Sequence, residues 1–183
     1  MSVGVFFLPG CTLTASSFTI YLSRSSIRLG LIVSGTTNPE DFTATNDAFS
    51  ITSQDGGGDT IQGLTASRNW LTIFYRFYTE IMTGTSPFDF RVERLIDRGL
   101  VSSTGYVSTG DVCFFASDEA VYMVARGQSS DLTTLKQREW YQGISDKSKI
   151  TLLIKGDLLL VVDYGADYAR ACDYKKGTWA PWT

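Results

Sequence analysis

Apolar residues in this chain come in short runs divided by turn-forming residues, and the dominant period is two rather than 3.6. Phe18–Leu22 (FTIYL) and Ile27–Val33 (IRLGLIV) are β-branched and aromatic, and serines separate them, so both are expected to be strands. Residues 69–82 (NWLTIFYRFYTEIM) carry Trp70, Thr72, Phe74, Arg76 and Tyr78 on one face. Leu71, Ile73, Tyr75, Phe77 and Thr79 lie on the other. Apolar groups on both faces predict one long central strand covered on both sides. Residues 111–117 (DVCFFAS) and 120–126 (AVYMVAR) flank Asp118-Glu119 and predict a hairpin. Residues 150–154 (ITLLI) and 158–162 (LLLVV) flank Lys155-Gly156-Asp157, a three-residue glycine-containing loop of the kind that closes hairpins. These last two runs are continuous rather than alternating, so they are assigned to the deepest core.

Two segments follow a helical period. In residues 86–99 (SPFDFRVERLIDRG), Ser86 can cap, Pro87 suits the first turn, and Phe88, Val92, Leu95 and Ile96 share one helical face. Arg94 and Arg98 fall late, and Gly99 stops the run. Residues 130–143 (SDLTTLKQREWYQG) form a second candidate, with Leu132, Leu135 and Glu139 on one stripe and Gly143 as the stop. About a dozen strand-length segments with one or two short helices in the connections predict an all-β fold. The expected architecture is a β-sandwich, of which the jelly roll is one form, built as a single β-rich domain over residues 1–183. A β-trefoil is the alternative, although the threefold self-similarity it calls for is not seen.

Composition narrows the function classes. The chain is 43% hydrophobic and 19% charged, below the roughly 25% usual for globular chains, so its surface is polar through hydroxyls more than ions. Net charge is −3, unevenly spread: residues 1–135 hold eight arginines against thirteen acids, and residues 136–183 hold eight cations against six acids. No run of like charge exceeds two. Nucleic-acid binding needs clustered cations, because affinity comes from neutralising several phosphates at once, so it is not expected. The apolar start Val3–Gly10 is too short for a membrane span and no Lys or Arg precedes it, so membrane insertion is not expected and the chain is read as soluble. Cys11, Cys113 and Cys172 are far apart and odd in number, which predicts reduced, buried thiols and a reducing compartment such as the cytoplasm, with a virion component as one destination. There is no histidine. Ser-His-Asp and Cys-His catalysis and His-ligated zinc are thereby excluded.

What chemistry remains is sparse. Gly56-Gly57-Gly58 between Asp55 and Asp59 lacks the lysine of a phosphate loop and fits only part of the calcium nonapeptide, in a single copy. Residues 54–59 are read as a hairpin tip, with no metal and no cofactor expected. Asp89, Glu93 and Asp97 lie beside Arg94 and Arg98, the pattern of a solvated, charge-paired face, and no catalytic carboxylate pair stands out. The chain is therefore not expected to be an enzyme. Aromatics offer the better candidates: Trp140 beside Tyr141, and Trp179 and Trp182 around Pro181. Such rings anchor protein interfaces or stack on sugars. The leading expectation is a structural or assembly subunit, such as a viral capsid or surface protein, that associates with copies of itself or other protein subunits. A glycan-binding module is the alternative.

Overall fold

The computed structural model describes residues 59–67, 70–84, 89–133 and 135–182, apart from the Leu135 side chain. Before residue 59 it describes only the backbone of five strands. These are β1 (Val5–Phe6), β2 (Thr12–Ala15), β3 (Phe18–Leu22), β4 (Leu31–Val33) and β5 (Phe49–Ile51), which pair antiparallel in sequence order. The expected hairpin tip lies outside the described residues except at Asp59, whose side chain accepts a hydrogen bond from the Thr60 amide at 2.8 Å. Two compact units divide the chain, Met1–Thr60 with Gly84–Val92, and Ile61–Thr83 with Glu93–Thr183.

Twelve further strands form three four-stranded antiparallel sheets, each a meander in sequence order. The first holds β6 (Ile61–Ala66), β7 (Trp70–Tyr75), β8 (Thr79–Thr83) and β9 (Arg91–Ile96). β10 (Tyr106–Ser108), β11 (Val112–Ala116), β12 (Val121–Ala125) and β13 (Gln128–Asp131) make the second. The third is β14 (Ile150–Lys155), β15 (Leu158–Asp163), β16 (Tyr168–Asp173) and β17 (Thr178–Trp182). One helix, α1 (Leu135–Gln142), and a 3₁₀ turn at Lys147–Lys149 join the second sheet to the third. The fold is all-β, as expected. The sandwich, jelly-roll and trefoil arrangements are not found among the described residues, because every sheet there is an up-and-down meander with no strand crossing to another sheet.

Alternation along β11 explains how the sheets stack. Cys113 and Phe115 point to one face and pack with Phe74, Leu100, Tyr122 and Val124. Phe114 and Ala116 point to the other and pack with Val121, Tyr141, Ile150, Leu152, Leu159 and Val161. The middle sheet is thus covered on both faces. Phe74, Tyr106 and Phe115 continue the first contact as tilted rings with centroids 5.2 Å apart at each step. Between the sheets, the first strand β10 meets β6 on one side and β14 on the other, and β11 also meets β14. At the second of these junctions Leu152 donates its amide to the Thr104 carbonyl at 3.1 Å. Sheets that touch at their first strands fan outward from an axis.

Two expectations are corrected. Residues 69–82 are not one strand but the β7–β8 hairpin, closed by the Tyr75 amide donating to the Tyr78 carbonyl at 2.9 Å. The turn is built from Arg76 and Phe77, both exposed, so it carries no glycine, proline or asparagine to mark it. The expected helix over residues 86–99 lies outside the described residues at 86–88 and is not found over 89–99: Arg91–Ile96 is the outermost strand of its sheet, where one side of the backbone needs no pairing partner and charge is tolerated. Arg94, placed late in the expected helix, lays its guanidinium 4.5 Å over the Tyr78 ring and pairs with Asp97 at 2.5 Å. The other helix is present over Leu135–Gln142, ended by Gly143, whose amide donates to Glu139 at 3.0 Å. Its inward residue is Tyr141, however, and Glu139 is exposed.

Candidate interaction surfaces

Both expected hairpins form in register. Val112 to Ala116 pair with Ala125 to Val121, and Ile150 to Lys155 pair with Asp163 to Leu158. The second loop is tighter than expected, because Lys155 already pairs with Leu158 and only Gly156 and Asp157 turn, Gly156 at φ +61. Cys113 and Cys172 are buried free thiols. Burial, helped by the Asp173 charge, pushes the Cys172 thiol up to about 11.

The four aromatic candidates separate. Tyr141 is 0% exposed, and its hydroxyl donates to the Ser117 carbonyl at 2.6 Å. Burial pushes its phenol well above the ordinary range. Trp140 and Trp179 are half-buried neighbours with ring centroids 6.4 Å apart, and Tyr168 lies 6.0 Å from Trp140. Arg170 covers this group, 4.6 Å over the Trp140 ring and 5.8 Å over Tyr168, and it donates to the Gln137 side-chain carbonyl. Trp179 donates its indole N–H to the Leu132 carbonyl at 3.0 Å. This is a packed seam between α1 and the last sheet rather than an open platform for a sugar ring.

Trp182 belongs to a different surface. Alternation along β17 puts it opposite Trp179, on the outer face of the third sheet, where it pairs with Ala169. Ile150 and Leu152 of β14 and Leu159 and Val161 of β15 point inward to the core. The alternate residues point outward. Leu153, Leu160, Ala171 and Ala180 form one row across the strands, with Thr151, Val162, Ala169 and Trp182 as the next. Leu153 is 45% exposed and Trp182 is 42% exposed. The expectation that both apolar runs lie in the deepest core is therefore half met, since one face is buried and the other is partly exposed.

A second feature had no sequence-level signal. A cleft of about 600 Å³ opens at the ends of the first two sheets, between the β7–β8 turn and the β9–β10 connection. Gln62, Arg76, Phe77, Asp97, Arg98 and Asp118 line it, and Phe77 is 66% exposed. Arg98 reaches across to Glu119 at 2.8 Å, and this partner raises its already high pKa. The cleft sits on a turn that the strand pattern of 69–82 conceals.

No protein-family model and no curated protein matches the sequence. Solved structures do match. Hsv2 of Kluyveromyces lactis superposes with a TM-score of 0.56 at 10% identity, over 91% of this chain and 48% of that one. Hsv2 of Kluyveromyces marxianus gives 0.56 at 7% identity, with the same coverage of each chain. Hsv2 is a β-propeller. The three described four-stranded sheets are propeller blades. Blades of four antiparallel strands set around an axis are what the first-strand contacts and the doubly covered middle sheet display. The chain spans about half the length of the solved structures it matches. Among the described residues no helix is long and apolar enough to cross a membrane.

Proposed function

We propose that this chain is a non-enzymatic assembly subunit, which works by joining protein partners, copies of itself first among them. The observation that carries this reading is the apolar outer face of the β14–β17 blade, where Leu153 is 45% exposed and Trp182 is 42% exposed. Residues 150–154 and 158–162 read as continuous apolar runs, the pattern of a sheet covered on both sides, yet among the described residues the core takes only one of their faces. An exposed apolar patch with a charged border is the usual mark of a protein interface. The border is present at one end of the face, where Lys175 pairs with Asp157 at 2.8 Å and Lys176 with Asp173 at 3.1 Å. The lack of histidine leaves little for catalysis. A soluble life in a reducing compartment suits a chain with free buried thiols at Cys113 and Cys172.

Sedimentation velocity across a wide concentration range tests the reading. The wild type is expected to form species heavier than one chain, and Leu153→Asp, which puts a charge at one end of the middle row of the face, is expected to shift them toward the single chain with the fold intact. A wild type that remains one chain at every concentration would sink the proposal.

A further inference from the structure

We infer that the cleft between the β7–β8 turn and the β9–β10 connection binds a peptide segment of a partner protein that carries both an acidic and a basic side chain. This site is separate from the outer face of the β14–β17 blade, and the inference goes beyond the assembly reading without depending on it. Charge balance is the first argument. Of the four charged side chains that line the cleft, two are already neutralised, Arg98 by Glu119 at 2.8 Å and Asp97 by Arg94 at 2.5 Å. Arg76 and Asp118 are exposed, and neither forms an ion pair among the described residues. They stand on different walls, Arg76 just past β7 and Asp118 just past β11. Those two strands face each other through Phe74 and Phe115, whose ring centroids are 5.2 Å apart, and facing sheets pack about 10 Å apart. An occupant of one sign meets repulsion on one wall; an occupant with both signs meets attraction on both. Walls on two sheets suit two side chains along a peptide better than the adjoining ammonium and carboxylate of a free amino acid.

The second argument is Phe77. Its ring is 66% exposed at the cleft, with the Arg76 guanidinium 5.3 Å over it. Aromatic rings and arginines are the side chains that anchor partners at interfaces, and this pair offers an apolar side chain of the occupant a surface to cover. The volume of about 600 Å³ lies in the range of sites that enclose a small ligand, so it takes a few residues of a peptide rather than a domain. The third argument is that both walls are built in advance. Leu100 donates its amide to the Tyr75 carbonyl at 2.9 Å, and the Thr79 hydroxyl donates to the Arg98 carbonyl at 2.8 Å, tying the connection to the β7–β8 turn. Across the cleft the Ser117 amide donates to the Ala120 carbonyl at 2.9 Å, and the Ser117 hydroxyl accepts from the amides of Glu119 and Ala120. Asp118 is carried on that closed turn. Preformed walls spare the occupant the cost of ordering them.

Two-dimensional NMR of the isotope-labelled protein tests this with the peptides Glu-Leu-Leu-Lys and Lys-Leu-Leu-Glu, and with Glu-Leu-Leu-Glu and Lys-Leu-Leu-Lys as controls. All four are capped at both ends, so that only side-chain charge differs. At least one mixed-charge peptide is expected to shift the amides of Phe77, Gly99 and Leu100 and to bind more tightly than either control. Arg76→Glu should weaken that peptide about fivefold and pass the advantage to Lys-Leu-Leu-Lys, while Asp118→Lys should pass it to Glu-Leu-Leu-Glu. Circular dichroism should stay that of the wild type in both variants. Controls that bind as well as the mixed peptides, or variants that leave the preference unchanged, would overturn the two-sign occupant. If free leucine shifts these amides and no peptide does, the occupant is not a peptide. No shift at the cleft with any probe would overturn the site itself. Should Asp118→Lys fail to fold, Arg76→Glu decides alone, because that side chain is exposed on a turn. Failure here leaves the assembly reading standing, and a single-chain wild type that binds a mixed peptide would sink the assembly reading alone.

Discussion

Gly99 has no side chain, and the β7–β8 turn depends on that. A Cβ at residue 99 would lie 2.1 Å from the Arg76 carbonyl oxygen and 2.5 Å from the Phe77 amide nitrogen, both backbone atoms that cannot swing aside. The close approach lets the next residue, Leu100, donate its amide to the Tyr75 carbonyl at 2.9 Å and bury its side chain beside Phe74. Gly99→Ala must push the turn and the β9–β10 connection apart, an overpacking error of about 1–3 kcal/mol. The expected outcome is a clear fall in melting temperature together with altered near-ultraviolet dichroism from the Tyr75–Tyr78 ring pair, which stacks at 4.3 Å. An unchanged melt would mean that the turn and the β9–β10 connection are not held this close. In the sequence Gly99 served as a helix stop, the right punctuation for the wrong element: its physical role is close backbone approach, which a one-dimensional pattern does not record.

At the scale of elements, strand β17 joins two tryptophans with opposite tasks. Trp179 faces inward, bonded to Leu132 and packed beside Trp140, whereas Trp182 faces outward and is 42% exposed. Truncation after Gly177 removes the whole edge strand. It uncovers β16 and takes away the Trp179 ring, whose burial contributes roughly 2–3 kcal/mol. Thermal stability should therefore fall at every protein concentration, including those too dilute for association. Trp182→Ser should leave the dilute melt within about 0.5 kcal/mol of the wild type, as exposed substitutions usually do. If the truncated chain melts like the wild type when dilute, β17 contributes nothing to its own blade. Two hairpins were legible from glycine or paired acids at the turn, at Gly156-Asp157 and Asp118-Glu119. The turn at Arg76-Phe77 and strand β9 were not. In the first, an exposed aromatic imitates a buried one; in the second, an edge position frees the strand from the alternation that would have identified it. Of the candidate site, Trp182 was visible as an aromatic at the end of the chain, but the face it joins depends on register with Ala169, Val162 and Thr151, which sequence distance hides.

For the whole molecule, blade repetition was invisible in the sequence because blades share a strand order and a packing geometry rather than residues. What repeats is the demand that each interior blade be covered twice. That demand distinguishes the blades by measurement. β10–β13 has both faces buried within one chain, and its amides should exchange slowly whatever the concentration. The outer face of β14–β17 exposes Leu153 and Trp182 among the described residues, so its local opening should respond to association. If a partner copy binds only the closed blade, a hundredfold excess over the dissociation constant adds about 2.7 kcal/mol to the free energy of opening, roughly a hundredfold slower exchange. Hydrogen–deuterium exchange at short labelling times, where local opening dominates, should therefore slow in residues 150–182 as concentration rises and stay constant in residues 112–125. Equal slowing of both blades would place the contact elsewhere or make the fold open as one unit. No slowing in residues 150–182, under conditions where species heavier than one chain are measured, would mean that the association uses another surface and that Leu153 and Trp182 stay in water.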